Sequence, residues 1–425
     1  MNAEDQLRNL TADPALPGWF NTLRLEAAAS YFELPLPDRT DEAWHYGDPK
    51  RFLPDALAPT APRPSTVAPE ALDAIRADGG VLLSLDNPDI EPNATALAER
   101  GVVHLSLREA LVKHGDMLQP VIEDAWGRHR TRKLSAAHFG LLEHGALLLL
   151  KRSADPQQSL HFYSAGAPAG TVFCPRLIVL AEQHSRASIY VHWHDEPSDS
   201  RSVLLAALQA RLGEGSDISI VQVQQHSSSC NSFLRGSAKI ERDARLRSVT
   251  VLLGTGAMMR RELHVELDAP GASAEMYGTY VARGKQRLDL HTHQLHNAPH
   301  TTSKLLVKGA LFDRSRASFS GMIGVAADAQ RTDAYQSNRA LVLSGSARAD
   351  SSPQLEIGAN DVRCTHGSTV SNVSEGEMFY MQSRGIQREV ARRLLVAAFI
   401  GEVIDQIGSA PVRAQVERYV AELGV

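Results

Sequence analysis

Ser188-Ile189-Tyr190-Val191-His192-Trp193 alternates strictly, with Ile189, Val191 and Trp193 on one side and Tyr190 and His192 on the other. Successive strand side chains point to opposite faces, so this is the signature of a β-strand with one face in a core. Similar runs follow, centred near Val251, His264, Tyr277, Leu290, Val307, Ile323, Val342 and Leu355, at intervals of 13 to 19 residues. Gly, Asp, Ser and Ala separate them. No long helical pattern intervenes, which argues against a doubly wound α/β sheet. A sandwich, a barrel and a solenoid of stacked short strands all remain open. A solenoid accommodates such runs in any number.

Outside this stretch the texture changes. Residues 1–144 read as a mostly helical region, 145–372 as the β core and 373–425 as a second helical region. Thr40-Asp41-Glu42-Ala43-Trp44 has an acidic first turn after a cap-like residue. Pro54, Pro59, Pro62, Pro64 and Pro69 make residues 53–70 an extended connector. Helices are expected to restart at Ala68-Pro69-Glu70 and to recur around 105–111 and 136–140. In the last region, Val390, Leu394, Ala397, Gly401 and Ile404 form one apolar stripe, and Leu395, Phe399 and Val403 a second. A helix apolar on two sides needs two partners: the end of the β core, and either the final helix near Val412 or another subunit.

The chain has 425 residues, 43% hydrophobic and 22% charged, with a formal net charge of −5. That is an ordinary globular composition. It supplies no basic face for nucleic acid. The polar start, Met1-Asn2-Ala3-Glu4-Asp5-Gln6, is unlike a signal peptide. The most apolar run, Leu394 to Gly401, is too short for a bilayer span, so the expected compartment is the cytoplasm. Three scattered cysteines, Cys174, Cys230 and Cys364, fit a reducing compartment and give no four-thiolate site for a stably bound cluster. There is no phosphate-cradling Gly-x-x-x-x-Gly-Lys-Ser/Thr and no Gly-x-Ser-x-Gly elbow, so neither ATP hydrolysis nor serine-hydrolase chemistry is expected.

Two groups of side chains invite a metal reading. His291, His293, His296 and His300 crowd one segment, and His192 and His194 share a strand face. With no carboxylate or cysteine at ligand spacing, these read as solvent-facing strand histidines. Cys364 and His366, in Asp361-Val362-Arg363-Cys364-Thr365-His366-Gly367, stand two residues apart on one strand face. A thiolate and an imidazole suit iron or zinc. Asp328, Arg331 and Asp333 read as a solvated turn rather than an acid pair.

From Pro353-Gln354-Leu355-Glu356-Ile357, through Cys364-Thr365-His366-Gly367, to Ser383-Arg384-Gly385-Ile386, the order of pieces resembles the SufD proteins of the SUF iron-sulfur cluster assembly system. Asp41-Glu42-Ala43-Trp44-His45-Tyr46 resembles that family's Glu-x-Trp-x-Tyr element. The resemblance implies a mainly β fold, a right-handed parallel β-helix flanked by N- and C-terminal helical regions. It implies a non-catalytic scaffold that pairs with the paralogue SufB through the C-terminal ends of the two β-helices. It also implies that the ATPase SufC docks on the C-terminal helical region. On this reading His366 and Cys364 contribute transient metal ligands at the SufB seam. Arg384, Gly385, Phe399 and Val403 belong to the partner-binding region, and a nascent iron-sulfur cluster is shared with SufB rather than held alone. An isolated chain has a second copy of itself as its possible partner. Ser337 or Asn338 falls where SufB carries its principal cysteine, which favours SufD over a SufB-type chain; Ser368 departs from the usual Ala. A β-helix enzyme acting on polysaccharide is the rival outside the family. Truncation after Gly385 is expected to remove SufC docking and leave the β-helix folded.

Overall fold

A computed structural model describes residues 2–59, 69–85, 94–164, 166–195 and 197–425. Pro62 and Pro64 of the proline-rich connector lie outside the described residues. Two sheets face each other. One runs in the order β3 (Val102–Ser106), β4 (Gly145–Leu150), β7 (Arg176–Ala181), β9 (Ser202–Leu212), β11 (Cys230–Ile240), β13 (Met258–Leu267), β15 (Arg287–His296), β17 (Arg316–Val325), β19 (Arg348–Ile357), with β1 (Ala58–Pro59) and β6 (Thr171–Phe173) beside it. The other runs β2 (Val81–Ser84), β5 (Leu160–Ser164), β8 (Arg186–His194), β10 (Asp217–His226), β12 (Arg245–Gly254), β14 (Ser273–Ala282), β16 (Thr302–Leu311), β18 (Asp333–Val342), β20 (Arg363–Ser371). Consecutive strands alternate between the sheets from β8 onward, and each pairs in parallel with the strand two along. The fold is therefore mainly β, a parallel solenoid of about eight turns with helices at both ends.

The register fixes the repeat. Asp217, Arg245, Ser273, Thr302, Asp333 and Arg363 stack in one column, 28 to 31 residues apart. Two strands share each turn, which is why the strand spacing in the sequence is about half that. The corners repeat too. His184, Gly215, Asp243, Gly271, His300 and Arg331 all have positive φ, and each donates its N–H to a carbonyl in the next turn. Glycine, Asp and His tolerate that left-handed conformation better than β-branched residues, so the irregular corner chemistry masks a regular backbone.

Ile189, Val191 and Trp193 face inward, in a core that continues through Ile218, Ile220, Leu246, Met276 and Leu305. Tyr190, between them, faces outward. Both outer faces are covered. α1 (Ala3–Arg8), α2 (Gly18–Glu33), α5 (Leu107–Lys113), α6 (Gly115–His129) and α7 (Lys133–Gly140) pack on the first sheet through Leu7, Phe20, Leu23, Ile122 and Phe139 against Leu147, Ile178, Val203 and Phe233. α3 (Pro69–Ala77) and α4 (Ala94–Glu99) complete the amino-terminal region. The Trp44 indole packs edge-on to Phe52 and Phe233 and lies 3.9 Å from the Arg260 guanidinium, pinning the Glu-x-Trp element to the solenoid.

α8 (Glu375–Ser383), α9 (Arg388–Ile404) and α10 (Ala410–Glu422) close the chain. Ser374 and Ser409 cap α8 and α10 by accepting from Glu377 N–H and Val412 N–H. α9 buries Val396, Ile400, Val403 and Ile404, and α10 buries Val412, Val416 and Val420. All of these except Val396, together with Ile407, cover Val221, Val223, Val249, Val251, Tyr277 and Leu306 on the second sheet, while Val396 packs with Ala310, Leu341 and Leu343. Each such aliphatic side chain contributes about 1.5–3 kcal/mol when fully buried. This corrects the first stripe read from the sequence, of which only Ile404 is buried, whereas Phe399 and Val403 of the second do pack on the solenoid. Leu394 is half exposed, and the buried stripe runs through Val396 and Ile400 instead.

The histidines also need correction. His192 and His296 have no exposed surface and His291 is buried. His192 stacks 4.1 Å from the Tyr163 ring, and His296 bonds Thr301 Oγ1 at 2.7 Å and Ser303 Oγ at 2.8 Å. His291 Nε2 lies 2.9 Å from Asp289 Oδ1, so a carboxylate does stand at useful spacing, two residues away on the same face. Asp289 in turn pairs with Arg260.

Candidate functional site: the open end of the solenoid

β18 is covered on one side by β16 and on the other by β20, but nothing described pairs with the far edge of β20 or of β19. The last turn thus offers two strand edges whose backbone groups want partners. Cys364 sits in register on Ala334, and His366 on Gln336. Both belong to the inward column, the one that holds Ala274 and Met276 three turns below. In deeper turns that column is sealed. Here Cys364 is half-buried against Ile323, Val325, Ala334 and Ala359, and His366 is exposed. Burial first, then the nearby Asp333 charge, raise the Cys364 thiol above its ordinary value, opposed by the Ala334 backbone hydrogen bond. Alone, this thiol keeps its proton. A metal cation at the edge would supply the positive charge that favours the thiolate.

The interior beneath His366 is polar. Gln336 has no exposed surface; its Nε2 donates to Gly321 O at 3.1 Å, and its Oε1 lies 3.4 Å from Gln294 Nε2. Asn338 Nδ2 donates to Ser351 Oγ across the interior at 2.9 Å. These two amides tie the two sheets together where the solenoid ends.

Exposed apolar surface gathers here. Among the described residues, Ile357, Val370, Phe379, Tyr380 and Leu394 make up half of the ten large apolar side chains that stand most exposed, with Phe379 at 74% and Tyr380 at 60%. α8 buries only Met378. Arg384 and Gly385 are both exposed. Gly385 has φ +83°, a conformation that ends α8 and that a side chain would strain. Arg384 Nη2 donates to Tyr380 Oη at 3.3 Å. Of the two α9 residues assigned to partner binding, Phe399 is partly buried, with Lys308 Nζ 4.6 Å from its ring centre, and Val403 is fully buried against the solenoid. In this conformation Val403 belongs to the core. The exposed aromatics of α8 were legible in Phe379-Tyr380 but carried no periodic signal.

A cavity of about 320 Å³ lies between α6 and the first sheet. Arg128, Arg132, Arg235, Glu262, Glu266, His264 and His293 line it. Its charges satisfy one another: Glu262 accepts from Arg235 and Arg260, and Glu266 accepts from Arg128 and pairs with His264. Both outer faces of the solenoid carry helices, so the long open groove of a polysaccharide enzyme is not seen among the described residues. No described helix is long and apolar enough to cross a membrane.

Comparison with known proteins agrees with this architecture. The domain described as "SUF system FeS cluster assembly, SufBD core domain" matches residues 162–399, more than half of the chain. The iron-sulfur cluster assembly protein SufD of Bacillus subtilis is 23% identical over 97% of this chain and 95% of its own length. SufD of Escherichia coli is 25% identical over 90% of this chain and 88% of its own. A SufBD family protein of Synechocystis is 28% identical over 65% of this chain, which spans 63% of that protein. The chain belongs to the SufBD family of the SUF system, whose role is iron-sulfur cluster assembly.

Proposed function

We propose that this chain is a SufD-type, non-catalytic scaffold subunit of a SUF complex, working in the cytoplasm. Its solenoid end pairs with a SufB-type chain, and Cys364 and His366 lend ligands to a nascent cluster at that seam. The observation that carries this reading is the pair itself: a thiol and an imidazole on one face of a terminal strand, beside two free sheet edges and a concentration of exposed apolar side chains. A two-ligand site holds iron only while a second chain completes the set, so the cluster would be shared and transient. The exposed side of α8 and α9, rather than the buried Val403, is the surface for an ATPase of the SufC type. Co-expression with SufB and SufC, followed by sizing and by iron and sulfide analysis, tests the assembly. A 425-residue chain that elutes alone, or as a second-copy dimer, in the presence of both would overturn it.

A further inference from the structure

We propose that Asp195, His226 and Cys230 form a binding site for one divalent transition-metal ion, iron(II) or zinc, inside the early turns of the solenoid. The three come from two successive corners. Asp195 directly follows β8, His226 ends β10 one turn later, and Cys230 opens β11 after a three-residue bend. β10 pairs with β8 up to Gln225 on His194, so His226 emerges opposite Asp195. One donor atom from each residue lies within 4.8 Å of the others. A tetrahedral ion with bonds of about 2.0–2.3 Å separates its donors by roughly 3.3–3.8 Å, so a contraction of about 1 Å closes the site.

The side chains of Asp195 and His226 have no exposed surface, and neither has Cys230. His226 Nδ1 is 2.9 Å from Asp195 Oδ1, while its Nε2 is buried without a hydrogen-bond partner among the described residues. Ser227 donates to Asp195 from both N–H and Oγ. No described lysine or arginine pairs with Asp195, leaving a buried carboxylate without a cation. One oxygen, one nitrogen and one sulfur donor suit a borderline ion rather than calcium or magnesium.

Burial, then the Asp195 charge, raise the Cys230 thiol well above its ordinary value. Metal uptake would therefore convert the thiol to a thiolate bound to the ion and release one proton, and affinity should rise with pH. The site is independent of the Cys364–His366 reading: five strand spacings separate β10 from β20, about 24 Å.

Cobalt(II) is the probe. The metal-stripped full chain should bind one equivalent with a sulfur-to-cobalt charge-transfer band in the near ultraviolet. C230S should abolish the band, and H226Q and D195N should weaken binding by at least about tenfold. C364S and H366A should leave it unchanged. Folding is checked by circular dichroism and melting without metal. If C230S does not fold, H226Q decides, since it keeps a polar side chain but loses the imidazole. No cobalt–sulfur band in the wild type, a band that survives C230S, unchanged affinity in folded H226Q, or a band lost in C364S would overturn the proposal.

Discussion

His366 rests in register on Gln336, an amide with no exposed surface, so a single strand step takes the inward column from full burial to solvent. An exposed imidazole above a satisfied amide contributes little to folding. His366→Ala should therefore change stability by less than about 0.5 kcal/mol. Cys364→Ser, half-buried among Ile323, Val325 and Ala359, should cost about 1 kcal/mol. Both should reduce cluster yield in the co-expressed complex. Melting of the isolated variants beside iron and sulfide content of the complex separates the effects. Normal yield from His366→Ala would remove it from the ligand set.

The buried histidines make a pH prediction. Burial lowers His161 to about 3 and His296 to about 4, from an ordinary 6.5. A histidine depressed in the fold is neutral there and protonated more readily when unfolded. Stability is therefore fully present above pH 6.5 and is lost as pH falls from 6.5 toward 4. The loss is on the order of 2 kcal/mol for each such group. Urea midpoints measured between pH 7.5 and 4.5 should stay level down to about pH 6.5 and fall below it. His296→Gln, which can still bond Thr301 and Ser303, should flatten the slope. A midpoint that holds constant down to pH 5 would mean that water reaches these rings in the native state.

Arg261 points into the solenoid between Leu234 and Leu290, in register with both, and all three guanidinium nitrogens are buried without partners among the described residues. Burial lowers its pKa to about 10, so it remains charged at neutral pH. An uncompensated buried charge is costly, and an apolar isostere is often better tolerated. Arg261→Met should raise stability by about 1–3 kcal/mol, read as an upward shift in melting temperature. A lower melting temperature would mean that the guanidinium is paired with an anion in solution.

The fold was legible where the core is aliphatic. The alternation of Ile189, Val191 and Trp193 identified an inward face, and the recurrence of similar runs kept a solenoid among the candidates. Choosing the solenoid took the resemblance, because corners as different as Gly271 and His300 hide the common conformation that makes the turns stack. The Cys364–His366 pair was legible because its two members are strand neighbours. Asp195, His226 and Cys230 were not: 31 residues separate the first two, and only the stacking of turns joins them. The solvent-facing reading of His291 failed for a related reason, since the helices that bury the first sheet come from the other end of the chain.

The structure reverses the expectation that the solenoid survives truncation after Gly385. α9 and α10 cover Val221, Val251, Tyr277 and Leu306, so removing them bares a continuous apolar sheet face. Such a face promotes association. The truncated chain should be insoluble or bind a hydrophobic dye strongly, and its failure to bind an ATPase would then say nothing about docking. Recovery of a soluble, cooperatively melting truncation would show that the helices are dispensable.

Point changes on the exposed side of α8 and α9 test docking without that ambiguity. Phe379 is 74% exposed and Leu394 50% exposed, and neither belongs to the clusters that hold α8 and α9 in place. Replacing either with Glu removes apolar contact area and would bury a charge in any interface formed there, while exposed substitutions of this kind usually move stability by less than about 0.5 kcal/mol. In an interface, losing a central aromatic anchor costs about 2 kcal/mol or more, roughly thirtyfold in affinity. Phe379→Glu and Leu394→Glu should therefore melt like the parent chain and lose co-purification with a SufC-type ATPase. Val403→Ala should do the reverse, lowering the melting temperature by opening a cavity worth about 1–3 kcal/mol while leaving the docking surface intact. Normal ATPase recovery with both Glu variants, measured by pull-down at matched concentrations, would move the docking surface off this end of the molecule.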